Sequence, residues 1–166
     1  MNVNIALLTV TDTRTLDTDK SGNILEKKIK KASHKLIDRK ICKDSKKEIK
    51  KIIQKWLNKK KIDVIITTGG TGLTGRDITP EALNEVADKH IPGFGEVFRT
   101  LSLKTVGTSS IQSRACAVLA NGKYIFALPG SSGGVTDAWD KILIHQLDVN
   151  HKPCNFVELF PRLKEK

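Results

Sequence analysis

Three observations predict an α/β fold with a mostly parallel sheet covered by helices on both faces. Short apolar runs alternate with longer stretches whose apolar residues recur at helical spacing. The run from Ile62 to Thr68 has Val64, Ile65 and Ile66 in succession at its centre, as expected of a strand buried on both faces. Glycine-rich loops follow the apolar runs, where open α/β sheets bind ligands, outside the carboxyl ends of their strands.

The elements follow in order. Val3 to Val10 reads as a buried strand, and the polar stretch Thr11 to Lys20 as a loop. Asp19 or Ser21 can cap a helix running to about His34, with Ile24, Leu25, Ile29 and Ala32 on its inner face. Leu36 to Cys42 is a shorter, more polar strand, expected near a sheet edge. Asp44 or Ser45 starts the next helix, whose apolar stripe is Ile49, Ile52, Ile53, Trp56 and Leu57. Ile62 to Thr68 is the third strand. Thr79 is expected as an N-cap, with Pro80 at the first helical position and Glu81 in the first turn, and the helix is expected to end near His90. Ile91 to Gly95 breaks the pattern, and Glu96 to Leu103 reads as helical. Ser109 or Ser110 is expected to begin a helix through Ala120. Asn121-Gly122 is a turn, Lys123 to Leu128 a fourth strand, and Val135 to Leu147 a last long helix. Residues 148–166 are expected to be an extended or irregular tail.

The 166 residues suit one domain spanning 1–166. Aromatics are only 5% of the chain, so the core should be aliphatic. The N-terminal residues carry no basic leader or small-residue cleavage site, and no apolar run is long enough for a membrane span. A soluble, cytoplasmic protein with no membrane partner is expected. Cys42, Cys116 and Cys154 form no C-x-x-C pair, which argues against a disulfide framework or a zinc site. The four histidines lack metal-ligand spacing, and His145 reads as a core or surface residue. The formal charge of +11 comes mostly from lysines set between apolar positions at helical spacing. Without interleaved aromatics or an arginine stripe, these read as solvated helix faces, and no nucleic-acid partner is expected.

The loop from Thr67 to Thr79 carries the chemistry. Gly69, Gly70, Gly72 and Gly75 fall within seven residues. Glycines are costly to order and have no side chain to pack, so close ligand approach is the better reason for them. Gly70-Thr71-Gly72-Leu73-Thr74-Gly75 matches G-x-G-x-x-G, but the helix begins too late for a dinucleotide fingerprint. Gly70, Gly75, Arg76 and Asp77 nearly fit a P-loop, with Arg76 in place of the lysine and Asp77 in place of the hydroxyl residue, so that reading also fails. An anion nest of N–H groups and hydroxyls survives both rejections. An aspartate beside such a nest is unfavourable unless a cation lies between them, and Mg²⁺ takes one or two carboxylates plus phosphate oxygens. Asp44 can supply a second carboxylate to Asp77. Two alternatives stay open: Asp77 pairs with Arg76 or caps Thr79, and Asp44 caps its helix.

Four motifs in order resemble the MoaB/MogA family of molybdenum cofactor biosynthesis, to which gephyrin's G domain also belongs. They are Thr67-Thr68-Gly69-Gly70-Thr71-Gly72, Asp77-x-Thr79-Pro80-Glu81-Ala82, Ile91-Pro92-Gly93-Phe94-Gly95-Glu96 and Leu128-Pro129-Gly130-Ser131. The resemblance runs from about Asn4 to Phe156. Phe98-Arg99-x-Leu101-Ser102, Gln112-Ser113-Arg114-Ala115 and Pro153-Cys154-Asn155-Phe156 look most like the MoaB branch. It implies a three-layer α/β/α sandwich that assembles into trimers or hexamers and works with other cofactor-biosynthesis proteins. It also implies a pocket for molybdopterin and transfer of AMP from Mg-ATP to the terminal phosphate of that pterin.

The family's two functional aspartates fall on Asp44 and Asp77, as catalytic and Mg²⁺-binding residues, and its glycine loop on Thr68, Gly69, Gly70, Thr71 and Gly72. The first loop, Thr11-Asp12-Thr13-Arg14, departs from the family's Ser-Asp-Arg pattern by an inserted threonine and a threonine for serine. Asp12, Arg14, Arg76, Pro129, Gly130, Ser131 and Ser132 are further candidates for substrate contact. Ser131 and Ser132 can hydrogen-bond the pterin or a phosphate, or serve as turn residues. Some MoaB-branch members bind the pterin or a nucleotide without adenylyl transfer, leaving a binding protein with weak GTP or ATP hydrolysis as the second reading.

Overall fold

The computed structural model describes residues 2–165. Its centre is a six-stranded sheet in the order β2-β1-β3-β6-β5-β4. The strands are β1 (Asn4–Val10), β2 (Lys35–Cys42), β3 (Val64–Thr68), β4 (Lys89–His90), β5 (Cys116–Ala120) and β6 (Lys123–Leu128). The pairs β2-β1, β1-β3 and β3-β6 are parallel, whereas β5 runs antiparallel to both β6 and β4. The expected mostly parallel α/β sheet is present.

Side-chain alternation along β1 makes the three layers visible. Ile5 and Leu7 point into a core with Leu25, Ile29, Phe94, Phe126, Val135 and Trp139. Ala6 and Leu8 point into the opposite core with Ile49, Ile53, Trp56, Ala82 and Leu83. Helices α1 (Lys20–Lys31), α4 (Pro92–Val106) and α5 (Ser132–Ala138) therefore cover one face, and α2 (Lys46–Leu57) and α3 (Thr79–Asn84) the other. Trp56 is fully buried, and its indole N–H donates to Asp38 at 2.9 Å.

Asp19 caps α1 by accepting from the Gly22 N–H. Ser45, rather than Asp44, caps α2 by accepting from the Glu48 N–H. As predicted, β2 is an edge strand, and its lysines keep that edge polar.

Several expectations are corrected. The helix foreseen over 109–120 is a 3₁₀ segment, Gly107–Gln112, followed by β5. Asn121 and Gly122 both take positive φ, 47° and 69°, and close a tight hairpin to β6. The alanines of Cys116-Ala117-Val118-Leu119-Ala120 favour helix locally, but packing from both faces of the sheet overrides that preference. Helix α3 ends at Asn84, and Lys89–His90 pair with β5 instead of completing a helix. Pro92 opens α4, so the foreseen break is itself a helix start. The last long helix begins at Ser132, passes through a π-helical stretch, Trp139–Leu143, and closes with one turn, Ile144–Gln146. In the tail, Val157–Arg162 forms a 3₁₀ turn, and Phe156 and Phe160 pack on Tyr124.

No helix among the described residues is long and apolar enough to cross a membrane. All three cysteines are free, and burial pushes the Cys42 thiol up to about 12.

Candidate anion-binding site at the sheet switch point

The strand order reverses at β1: β2 lies on one side of it and β3 on the other. The carboxyl ends of β1 and β3 therefore lie side by side, with Thr9 opposite Thr68, at the crevice where such sheets bind ligands. The loops after β1, β3 and β6, which carry most of the candidate residues, meet there in two adjoining hollows. One, of about 470 Å³, is lined by Thr11, Asp44, Gly70, Thr71, Arg76 and Asp77, among others. The other, of about 190 Å³, is lined by Thr9, Arg14, Asp19, Thr68, Ser131 and Ser132, among others. Gly69, Gly130 and Ser131 border both.

Close packing explains the glycines between them. A Cβ on Gly69 would lie 2.2 Å from the Val10 carbonyl oxygen, at φ +99°. A Cβ on Gly70 would lie 2.4 Å from the Thr79 hydroxyl and 3.1 Å from an Asp44 carboxylate oxygen. The loop is pinned from several sides. The Gly69 N–H donates to Leu128 O at 3.0 Å, and the Thr79 N–H to Gly70 O at 3.0 Å. The Thr79 hydroxyl donates to Gly69 O at 2.9 Å and the Thr68 hydroxyl to Pro129 O at 2.7 Å. Thr79 is thus a loop clamp rather than an N-cap; Ile78 holds the cap position. The Gly70 and Thr71 N–H groups donate to no protein acceptor among the described residues, which leaves them for a ligand.

Asp44 and Asp77 line the same hollow but in unlike states. The Asp44 carboxylate accepts no hydrogen bond among the described residues. Burial, helped by the negative charges of Asp12 and Asp77 and opposed by Arg76, raises its pKa above 3.8. Burial also works to raise the Asp77 pKa, but hydrogen bonds from the Thr74 hydroxyl and N–H and from the Gly72 N–H, with the charge of Arg114, outweigh it and hold Asp77 below 3.8. Asp77 therefore neither pairs with Arg76 nor caps Thr79. It closes its own loop through Thr74, at 2.9 Å from the N–H and 2.7 Å from the hydroxyl.

Arg76, which lines the larger hollow, instead ion-pairs with Asp12, and Asp12 also accepts from the Asp44 N–H at 3.2 Å. Arg14 lies apart from the two aspartates: it donates to Thr18 O at 3.1 Å and lines the smaller hollow. Ser131 caps α5 by accepting from the Gly134 N–H, while Ser132 faces the smaller hollow.

Two further groups shape the site. Asp19, 1% exposed, accepts from the Thr9 hydroxyl at 2.6 Å and from Arg39 at 2.9 Å beneath the smaller hollow. Arg114 donates to Gly72 O and Asp77 O and ion-pairs with Glu81. The sequence offered Asp19 only as a helix cap, and Arg114 only within a motif.

Bare N–H groups, hydroxyls and a carboxylate without a hydrogen-bond donor thus meet at the sheet switch point of an α/β domain. The family model described as "Probable molybdopterin binding domain" matches residues 6–149. Molybdenum cofactor biosynthesis protein B of Escherichia coli (strain K12) is 43% identical over 161 residues, covering 97% of this chain and 93% of that protein. The Bacillus cereus protein of the same name is 42% identical over 146 residues, covering 87% of this chain and 86% of that protein. A crystal structure of a molybdenum cofactor biosynthesis protein B superposes with TM-score 0.89 at 38% identity, covering 100% of this chain and 98% of that one. The tungsten cofactor synthesizing protein MoaB from Pyrococcus furiosus gives TM-score 0.77 at 33% identity, covering 86% and 91%. The chain belongs to the MoaB/MogA family of molybdenum cofactor biosynthesis proteins.

Proposed function

We propose that this protein acts in molybdenum cofactor biosynthesis by binding molybdopterin at the switch-point crevice and transferring AMP from Mg-ATP to its terminal phosphate. The observation that carries the reading is the pairing of free loop N–H groups with the unpaired Asp44 carboxylate in one hollow. A phosphate oxygen of the pterin attacks the α-phosphorus of ATP, a new P–O bond forms, and the bond to the departing pyrophosphate breaks. The nucleophile is already an anion, so no strong general base is required, and the barrier lies in bringing two anions together.

The residues present fit Mg²⁺: Asp44 lacks a compensating donor, and Asp77 lines the same hollow. Asp44 and Asp77 would hold the ion, which would supply neutralisation of phosphate charge. The chain itself contributes the Gly70 and Thr71 N–H groups, which orient a phosphate, and Arg76, which neutralises charge once a ligand displaces Asp12. Ser132, Arg14 and Thr68 offer polar contacts in the smaller hollow.

Self-association into trimers or hexamers accords with the exposed apolar residues Val97, Leu103, Val106 and Ile111 along α4 and the 3₁₀ turn after it. Other cofactor-biosynthesis proteins are the expected partners, in the cytoplasm.

A second reading has its own support. With Asp77 fully engaged by its loop, the protein is a pterin- or nucleotide-binding member that at most hydrolyses GTP or ATP slowly. Equilibrium titration tests the shared claim. Saturable molybdopterin binding is expected, together with ATP binding that weakens at least about tenfold on chelation of Mg²⁺ or in Asp44→Asn. Absence of saturable pterin binding overturns the first reading, and absence of both pterin and nucleotide binding overturns the second as well.

A further inference from the structure

Arg114 stands outside the set of residues that face the ligand hollow, yet it touches the glycine loop more widely than any of them. Its Nε donates to Gly72 O at 2.7 Å and its Nη2 to Asp77 O at 2.6 Å. The same guanidinium ion-pairs with Glu81 in the first turn of α3. Its own N–H donates to Thr71 O at 2.9 Å. One residue thus binds the loop at its start, at the end of its exposed turn, and at the helix that follows.

The segment that carries Arg114 is itself fixed. Arg99 of α4 donates to Ser113 O at 3.3 Å and Ala115 O at 3.2 Å, on either side of it. Gly95 lets that segment approach the helix, since a Cβ there would lie 2.6 Å from Ala115 O. The loop needs such a brace. Leu73, Thr74, Gly75 and Arg76 are exposed, and a Cβ on Gly75 would meet no atom within 4 Å. Apart from Arg114, the turn is closed by short-range bonds within it, from Thr74, Gly72 and Arg76 to Asp77 or Thr74 and from the Asp77 N–H to Thr74 O.

We propose that Arg114 is a positioning residue for the anion-binding loop, holding Gly72 and Asp77 in register against Glu81 so that the loop N–H groups and the Asp77 carboxylate present one geometry to the ligand. This rests on the phosphate-binding reading of the site only for its ligand arm. A planar guanidinium is required because three acceptors are bridged from one rigid fork. Lysine keeps the charge but cannot reach all three.

The test compares wild type with Arg114→Lys, Arg114→Gln and Glu81→Gln. Hydrogen–deuterium exchange on the free protein reads the amides of Gly72, Thr74 and Asp77 against those of β1 and β3. In both Arg114 variants the loop amides are expected to exchange at least about tenfold faster while the sheet amides keep their protection. Glu81→Gln, which keeps an acceptor, gives a smaller change. Titration with Mg-ATP as probe is expected to show about tenfold to hundredfold weaker binding in Arg114→Lys.

Wild-type loop protection in Arg114→Lys overturns the proposal, since charge alone then suffices. Equal loss of protection in loop and sheet also overturns it, since the role is then general stability. If wild type binds no Mg-ATP, the functional reading fails, and the exchange arm still decides the role of Arg114.

Discussion

Gly69→Ala isolates the idea that the glycine loop is shaped by close backbone approach. Gly69 holds φ +99°, which L side chains rarely adopt, at a cost of about 1–3 kcal/mol. The new Cβ would sit 2.2 Å from Val10 O and 3.2 Å from Val10 C. Those atoms belong to β1, which is hydrogen-bonded on both sides within the sheet, so relief requires the strand or loop to shift. Overpacking of this kind adds about 1–3 kcal/mol. The summed loss of about 4 kcal/mol corresponds to a fall in Tm of roughly 8–16 °C for a chain of this size. Gly75→Ala, in the same loop, is the control. Its φ is ordinary and a Cβ there meets nothing within 4 Å, so the change is expected to be neutral or stabilising by up to about 1 kcal/mol. Thermal and urea denaturation of both variants, followed by a molybdopterin titration, measures the difference. The reasoning is refuted if Gly69→Ala matches wild type within about 0.5 kcal/mol, or if Gly75→Ala is equally damaging.

Asp44→Asn should raise Tm at pH 7, on the order of 1–3 °C, while weakening Mg²⁺-dependent binding. The Asp44 pKa is raised in the folded state, so the stability it contributes is present at acid pH and is lost as pH rises through that value. A Tm profile against pH that is unchanged in Asp44→Asn contradicts this. Asp19→Ala removes the buried partner of Arg39 and should cost about 3–5 kcal/mol by urea denaturation; a loss under 1 kcal/mol would show the pair to be dispensable. Burial works to raise the Asp19 pKa, but hydrogen bonds from Thr9, Gly22, Arg39 and Ser21 hold it below 3.8. Its contribution is therefore present above that unfolded value and is lost as pH falls through the folded one, and acid titration of wild type against Asp19→Asn should reveal that sign. Arg76→Gln breaks an ion pair whose arginine is 67% exposed, so stability should change by no more than about 1 kcal/mol while Mg-ATP affinity falls; unaltered affinity would remove Arg76 from the site.

The parallel half of the fold was legible because each of its elements carries a local signal strong enough to survive packing. Val64, Ile65 and Ile66 form an unbroken apolar run, and Ile49, Ile53 and Trp56 fall on one helical face. The antiparallel edge was not legible. Residues 116–120 are alanine-rich and become a strand only because β6 and two helical layers enclose them, while Lys89–His90 pair through just two residues. At the site, glycine spacing exposed the loop after β3, and the carboxylates at positions 44 and 77 stood out beside it. What joins them was hidden. Asp12 meets Arg76 across 64 positions of chain and Arg114 meets Asp77 across 37, and no local pattern records such distant pairs. The split of Arg14 from the two aspartates is likewise a matter of which hollow each loop borders.

The most direct test of the proposed function is a single-turnover reaction of the purified protein with molybdopterin, Mg²⁺ and α-labelled ATP. Adenylylated pterin is predicted in wild type, with its formation lost in Asp44→Asn and Asp77→Asn while pterin still binds. Saturable pterin binding in wild type without any labelled product would contradict adenylyl transfer and leave the binding protein as the function of this chain.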